Sequence, residues 1–192
     1  MTPIGTVVRL QVQRSRLKPG PRTTRFYDPA PLLEVAALEV GPRGVTGQSE
    51  SGPVLDVHHA DHPDSRNVQL RNGLSLLPRC HYERMRARFG DHLVDGVAGE
   101  SLLLETEGPW VPEALAGPLA LETAAGGLLE LTDAMAAAPC VEFTRFCLRR
   151  PPGPDDEELA AALADLDGGV RGFYVALSLS GRIEAGARLL RG

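Results

Sequence analysis

Residues 173–179, Phe-Tyr-Val-Ala-Leu-Ser-Leu, carry the clearest strand signal in the chain. Large apolar side chains stand at every second position from Phe173 to Leu179, and smaller or polar side chains stand between them. This period of two predicts a β-strand with one face buried. The residues Ser180-Gly181-Arg182 then form a turn signal before Ile183, so the strand is predicted to return as a hairpin.

Short apolar segments of the same kind run along the rest of the chain and are separated by glycine and proline. They lie at residues 4–12, 32–40, 68–77, 102–105, 119–123 and 128–132. In the first of them, Val8, Leu10 and Val12 are expected on one face. The polar, turn-rich segment 44–65 is predicted to be a surface loop.

Helical spacing occurs in two segments, residues 81–89 and residues 155–166. Acidic residues crowd the first turn of the second segment, where they complement the helix dipole. Six to eight short strands and two helices, without regular alternation, predict a mainly β fold with a few short helices. The favoured architecture is a barrel or a strongly bent sheet.

Composition indicates a soluble globular protein, and a length of 192 residues fits one domain, residues 1–192. With 25 acidic and 20 basic residues the net charge is −5, which argues against a nucleic-acid binder. No apolar run is long enough to cross a membrane, and no secretory signal is recognised. Three cysteines cannot all pair internally, so a reducing cytoplasm is expected. No phosphate-binding glycine motif supports nucleotide chemistry.

Cys140 is the residue most suited to chemistry. It follows Pro139, which predicts a turn or a strand edge, and Arg145, Arg149 and Arg150 follow soon after it. Positive charge nearby would favour the thiolate, the form that binds metals and attacks electrophiles. The alternative interpretation is a buried structural cysteine, which suits Cys147 better.

A histidine cluster and a basic cluster are the other candidate sites. Three of the five histidines lie in residues 58–62, and His59, Asp61 and His62 could hold zinc in a hydrolase. A polar surface loop is the alternative for this cluster. The basic residues of 14–25 form either a solvated loop or an anion-binding loop; they are Arg14, Arg16, Lys18, Arg22 and Arg25.

Several fragments, taken in order, resemble the MOSC domain, which is named after the C-terminal domain of molybdenum cofactor sulfurases. The early fragments are GTVVRL (5–10), GVTGQ (44–48), DVHH (56–59) and RNVQL (66–70). The later fragments are GVAGESL (96–102), APCVEF (138–143), GFYV (172–175) and GRIEAG (181–186). The resemblance covers nearly the whole chain, from about residue 4 to about residue 190.

The resemblance implies a β-barrel-like MOSC fold that binds a pterin molybdenum cofactor, with Cys140 as the molybdenum ligand or as a sulfur carrier. It implies that the cofactor-binding residues include His58, His59, Arg66, Gly99, Glu100 and Ser101. Arg171 and the basic cluster are further candidates on charge alone, because the cofactor carries an anionic phosphate. As a reductase of N-hydroxylated compounds, the chain would need a separate electron donor, and sulfur transfer would need a sulfur donor protein.

Some positions depart from the pattern of the MOSC family. Gln48 and Ala187 replace aspartates, and Ser101 replaces an asparagine. An exchange of asparagine for serine removes an amide that both donates and accepts hydrogen bonds. These changes leave open a second interpretation, in which the chain is a divergent, non-catalytic binding module on the same barrel. The zinc hydrolase remains a third interpretation.

Overall fold

The computed structural model describes residues 1–65, 67 and 69–192, and these residues form twelve strands and three α-helices. The strands are β1 (Thr2–Gln13), β2 (Leu32–Glu34), β3 (Ala37–Gly41), β4 (Gly44–Ser49), β5 (Gly52–Leu55), β6 (Leu74–Pro78), β7 (Leu102–Glu105), β8 (Leu119–Glu122), β9 (Leu128–Ala136), β10 (Phe173–Leu177), β11 (Gly181–Glu184) and β12 (Arg188–Arg191). The helices are α1 (Arg79–Phe89), α2 (Val141–Cys147) and α3 (Glu157–Leu166), with a 3₁₀ turn at Pro112–Leu115. None of these helices is long and apolar enough to cross a membrane.

Seven strands close into a barrel, in the order β1-β7-β6-β10-β9-β8-β12 and back to β1. Neighbouring strands are antiparallel except β6 and β7, which are parallel. A parallel pair needs a long crossover, and α1 lies in the segment that connects these two strands. The mainly β, barrel-like prediction is therefore confirmed.

Two apolar cores hold the molecule together. Inward-facing leucines and valines of the strands fill the barrel, together with Phe173 and Trp110. A second core lies beneath the helices and includes Tyr82, Met85 and Phe143. The helical pattern predicted for residues 81–89 is confirmed, because Tyr82 and Met85 of α1 are buried in this second core.

A second sheet, in the order β11-β3-β4-β5, lies beside the barrel and corrects one prediction. Residues 44–65 are not only a surface loop, because β4 and β5 occupy their first half. Backbone groups make the ladder bonds, so a polar, glycine-rich segment can pair once a partner strand is present. The absence of a side chain at Gly47 lets β4 approach Val12 and Val35 closely.

The first strand also departs from its predicted pattern. Its register shifts between Val7 and Arg9, where it pairs with β7. A bulge of this kind reverses the faces of the residues on one side of it. Val7, Leu10 and Val12 are consequently buried, whereas Val8 is 42% exposed, so the predicted common face of Val8, Leu10 and Val12 is wrong.

Other boundaries differ in smaller ways. Helix α3 is confirmed, with Asp156 as its N-cap, since the side chain accepts a hydrogen bond from Leu159 N–H at 2.9 Å. Residues 32–40 contain two strands, β2 and β3, instead of one. Helix α2 follows Cys140 directly and was absent from the sequence prediction.

Candidate functional site

A cavity of about 490 Å³ opens beside Cys140 and is the strongest candidate site. Its wall includes Cys140, His58, Arg171 and Tyr174, together with the segment Ser15–Gly20 that follows β1. We call it the Cys140 cavity. The structure thus brings together residues from four distant parts of the chain, each of which contains a residue that the sequence analysis had named separately.

Cys140 occupies the junction between β9 and α2. It is the N-cap residue of α2, with an extended backbone, and its carbonyl accepts hydrogen bonds from the Thr144 N–H and hydroxyl, both at 2.9 Å. The thiol is partly exposed and lines the cavity. Cys147 is fully buried, and burial raises the pKa of its thiol to about 12, so it has a structural role.

Arg171 supplies a positive charge to the same cavity. Its guanidinium carbon lies 4.5 Å from the centre of the Phe143 ring, which fixes the side chain by a cation–π contact. Among the described residues no carboxylate pairs with Arg171, and no side-chain hydrogen bond from it is formed. Burial by itself lowers the pKa of Arg171, but the phenol and thiol groups around it raise that pKa overall. These groups are Tyr27, Tyr174, Cys140 and Tyr82.

His58 is held by a buried carboxylate. Asp56 is 2% exposed and accepts hydrogen bonds from the backbone N–H groups of Gln13, at 2.7 Å, and His58, at 2.8 Å. The Nδ1 of His58 lies 2.9 Å from Asp56, so that nitrogen carries the hydrogen and donates it. The other ring nitrogen, Nε2, can then accept a proton or bind a ligand in the cavity that His58 lines.

Three basic residues of the predicted cluster also line the cavity: Arg16, Lys18 and Arg25. Arg16 is paired with Asp64 at 3.4 Å. The Nε of Arg25 is buried without a hydrogen-bond partner in the described part of the chain. A buried donor without an acceptor is costly, and a bound anion would satisfy it.

The segment Gly99-Glu100-Ser101 lies behind the cavity wall and does not line it. The Gly99 carbonyl accepts a hydrogen bond from Gln13 Nε2 at 2.6 Å. Glu100 accepts one from the Tyr82 hydroxyl at 2.8 Å, and burial raises the pKa of this carboxyl to about 7. Ser101 N–H donates to the Ser75 hydroxyl at 2.9 Å. These bonds position the wall residue Gln13 and join the wall to the barrel.

The histidine cluster does not assemble a zinc site. The ring Nδ1 atoms of His59 and His62 accept backbone N–H bonds from Asp61 and Asp64, and His62 Nε2 lies 3.1 Å from the Arg14 carbonyl. Asp61 pairs with Arg43. Within residues 1–65, 67 and 69–192, no three His, Cys, Asp or Glu side chains are grouped to hold a metal ion. The structure therefore corrects the zinc interpretation.

Two residues that were predicted to bind the cofactor, His59 and Arg66, are not among the described residues in the wall of the Cys140 cavity. His59 packs beside the Gly44 backbone, outside the lining of the Cys140 cavity. Arg66 lies outside the described residues, so its assignment to the cofactor stays a prediction. Sequence reasoning missed Asp56 as the support of His58, and it missed Tyr27 and Tyr174 in the wall. The Asp-x-His spacing at residues 56–58 was the one available signal.

Comparisons with known proteins bear on the fold. No family model matches the chain, and a search of curated proteins finds no significant match. Among solved structures, YuaD from Bacillus subtilis matches with a TM-score of 0.56 and 12% identity, over 96% of this chain and 93% of that chain. YiiM from Geobacillus stearothermophilus matches with a TM-score of 0.56 and 16% identity, over 97% of this chain and 74% of that chain.

YiiM from Escherichia coli matches with a TM-score of 0.52 and 14% identity, over 82% of this chain and 63% of that chain. YuaD and YiiM are MOSC-domain proteins. The chain has a MOSC-type barrel fold. At such low identity the likeness concerns the fold, and function has to be argued from the site. In this MOSC-type barrel, that site is the Cys140 cavity.

Proposed function

We propose that this chain binds a pterin molybdenum cofactor in the Cys140 cavity, with the Cys140 sulfur as the ligand of the metal. The observation that carries the proposal is that one cavity wall holds a thiol, Cys140, and a cation, Arg171, which has no carboxylate partner among the described residues. A soft thiolate suits a soft, sulfur-bound metal centre, and a guanidinium suits a phosphate.

The residues present fit such a group on chemical grounds. Arg171 and the buried, unsatisfied Nε of Arg25 are donors for the anionic phosphate of the cofactor. Lys18 adds a further cation to the wall. Cys140 is the sulfur ligand that the wall offers to a metal, because Cys147 is buried in the second core and its thiol stays protonated.

The cofactor, when bound, would supply two-electron redox chemistry for the reduction of N-hydroxylated compounds. The protein contributes the binding charges and a histidine that can move a proton. The Nδ1–H of His58 donates to the Asp56 carboxylate. The Nε2 of His58 is therefore the atom that would accept or release a proton in the cavity. Electrons would come from a separate donor protein.

The proposal is tested by measuring molybdenum by mass spectrometry and pterin by fluorescence after expression in a cofactor-competent host. The native chain is expected to contain both. Arg171→Gln should lower both contents by about tenfold, because a charge-assisted hydrogen bond is lost. Cys140→Ser should lose molybdenum, whereas Cys80→Ser, which changes a thiol outside the cavity, should match the native chain.

The outcomes separate the interpretations. Cys140→Ser could retain molybdenum while losing a sulfane sulfur adduct that the native chain carries on Cys140. That result would show that Cys140 is a sulfur carrier and not the metal ligand. Neither molybdenum nor pterin in the native chain, from a host that loads a known molybdenum protein, would overturn the proposal. The chain would then be a divergent binding module on the MOSC-type barrel.

A further inference from the structure

A second cavity, of about 420 Å³, lies at the C-terminal end of α2. We call it the α2 cavity. It shares Arg25 and Tyr27 with the Cys140 cavity, so the two cavities adjoin through these side chains. The cofactor proposal uses Arg25 of this shared wall and none of the other side chains that line the α2 cavity.

One side of the α2 cavity is aromatic. The Phe146 ring centre lies 5.2 Å from that of Tyr27 and 5.7 Å from that of His92. The His92 ring is fixed at both nitrogens. Arg149 Nε donates to its Nδ1 at 3.1 Å, so its Nε2 carries the hydrogen and donates to the Phe146 carbonyl at 3.2 Å. Fixed aromatic walls of this kind favour a planar ligand.

The wall of the α2 cavity also contains four arginines, but they are not equivalent. Arg145 and Arg150 are neutralised by an acidic segment, in which their partners are Asp155, Asp156 and Glu158. Arg149 forms no ion pair with a described residue. Arg25 pairs with Glu142 at 3.9 Å, but its Nε is buried without a hydrogen-bond partner among the described residues. Arg149, together with the Nε of Arg25, is therefore left to bind a ligand.

The backbone of Arg149 supports a role for its side chain. Arg149 follows α2 with φ of 54°, in the left-handed region, and the Arg150 N–H returns to the Arg145 carbonyl at 2.8 Å. Helices commonly end in this way, but the left-handed position is usually glycine because a side chain is strained there. The backbone of Arg149 is strained at this position, and its side chain lies in the wall of the α2 cavity.

We propose that the α2 cavity binds a planar aromatic compound that carries an anionic group. The anion contacts Arg149 and Arg25, and the ring packs against Phe146. This site shares Arg25 with the proposed cofactor site, but its other contacts, Arg149 and Phe146, do not line the Cys140 cavity. It does not require the cofactor. Because the two cavities adjoin, it also defines a substrate class, aromatic anions, for the chemistry proposed at Cys140.

The test is calorimetric titration of the cofactor-free protein with three probes of similar shape: benzoate, phenyl phosphate and the neutral benzamide. The two anions are expected to bind more tightly than benzamide, and their relative affinities distinguish carboxylate from phosphate. Arg149→Gly should weaken anion binding by about tenfold or more. The same variant should have a raised melting temperature, because glycine relieves the left-handed strain.

Two matched variants locate the site. Arg182→Gln removes one positive charge on the second sheet, where Arg182 pairs with Glu39, and should bind the anions as the native chain does. Arg171→Gln changes the Cys140 cavity and should weaken anion binding less than Arg149→Gly does. The proposal is overturned if neither anion binds at millimolar concentration, if benzamide binds equally well, or if Arg171→Gln weakens binding and Arg149→Gly does not. Since the titration uses cofactor-free protein, its failure would leave the molybdenum proposal standing.

Discussion

Glu100 is deeply buried, and among the described residues Tyr82 is its one side-chain hydrogen-bond partner. It is 2% exposed, the Tyr82 hydroxyl donates to it, and that hydroxyl in turn accepts the Ala98 N–H at 2.8 Å. Burial disfavours the charged form and raises the pKa of Glu100 to about 7, above its ordinary value of 4.5. The folded protein consequently holds a proton on Glu100 at a pH where the unfolded chain has lost it.

This difference predicts how stability depends on pH. The contribution of Glu100 to the stability of the folded state is fully present below pH 4.5 and is lost as the pH rises through about 7. Between these two pH values, the free energy of unfolding of the native chain should fall by about 3 kcal/mol relative to that of Glu100→Gln. The variant keeps a neutral side chain of the same shape at every pH. Urea unfolding of both proteins at several pH values measures it. A native-minus-variant difference that stays constant with pH would contradict the assignment.

The ion pairing of individual arginines explains why the two cavities are basic in an acidic protein. Most arginines on the surface are paired, as Arg88 is with Asp165 at 2.7 Å. Arg171 in the Cys140 cavity and Arg149 in the α2 cavity form no ion pair with described residues, and Arg25, between the cavities, has a buried Nε without an acceptor. Unpaired cations at concave sites attract anions more strongly than the net charge of −5 suggests.

At the scale of elements, the junction between α3 and β10 positions Arg171. Gly172 has φ of 104°, and a Cβ there would lie 2.7 Å from the Leu76 carbonyl oxygen of β6. The Gly172 carbonyl accepts the Ala137 N–H at 2.8 Å, which ties the junction to the segment leading to Cys140. Gly172 therefore links Arg171 to the short segment between β9 and the proposed metal ligand.

We expect Gly172→Ala to lower the free energy of unfolding by about 2 kcal/mol or more, through backbone strain and the clash with Leu76. Gly108→Ala is the matched control, because no atom lies within 4 Å of its added Cβ and its φ lies outside the left-handed region. Urea unfolding of the two variants checks the prediction. Equal stability of the Gly172→Ala and Gly108→Ala variants would show that the backbone of β6 can shift at Leu76 without a measurable cost in free energy.

At the scale of the whole molecule, closure of the barrel joins the two ends of the chain. Strand β12 pairs with both β1 and β8, so residues near the C-terminus complete the sheet that begins at Thr2. Leu189 is 0% exposed and packs in the barrel core at this closure. A closed barrel has no free edge between these strands, which protects it from pairing with other chains.

We expect Leu189→Ala to cost about 2–5 kcal/mol of unfolding free energy, as a buried leucine in a well-packed core does. Leu128→Ala, in the barrel strand β9 but 52% exposed, should change stability by about 0.5 kcal/mol or less. Thermal and urea unfolding compare them directly. A loss at Leu189 no greater than that at Leu128 would mean that the closing strand adds little to the folded state.

Local periodicity explains which elements could be predicted. Strand β10, helix α1 and helix α3 carry their own apolar pattern, and all three are confirmed. Strands β4 and β5 carry no such pattern, because backbone pairing with β3 stabilises them. The bulge in β1 likewise depends on its partner β7, so no sequence pattern could show that Val8 faces outward.

The sequence by itself determined the mainly β barrel class and marked Cys140 as a candidate, because residue types and local spacing are properties of the chain alone. The resemblance to the MOSC family implied His58, and charge alone suggested Arg171 for the cofactor of that family. Tertiary structure decided which of them meet. It placed these three in one cavity, put Glu100 in the core behind it, and formed a second cavity from Arg25 and Arg149. The physical reason is that burial, charge pairing and distance arise between segments far apart in the chain, and folding alone sets them.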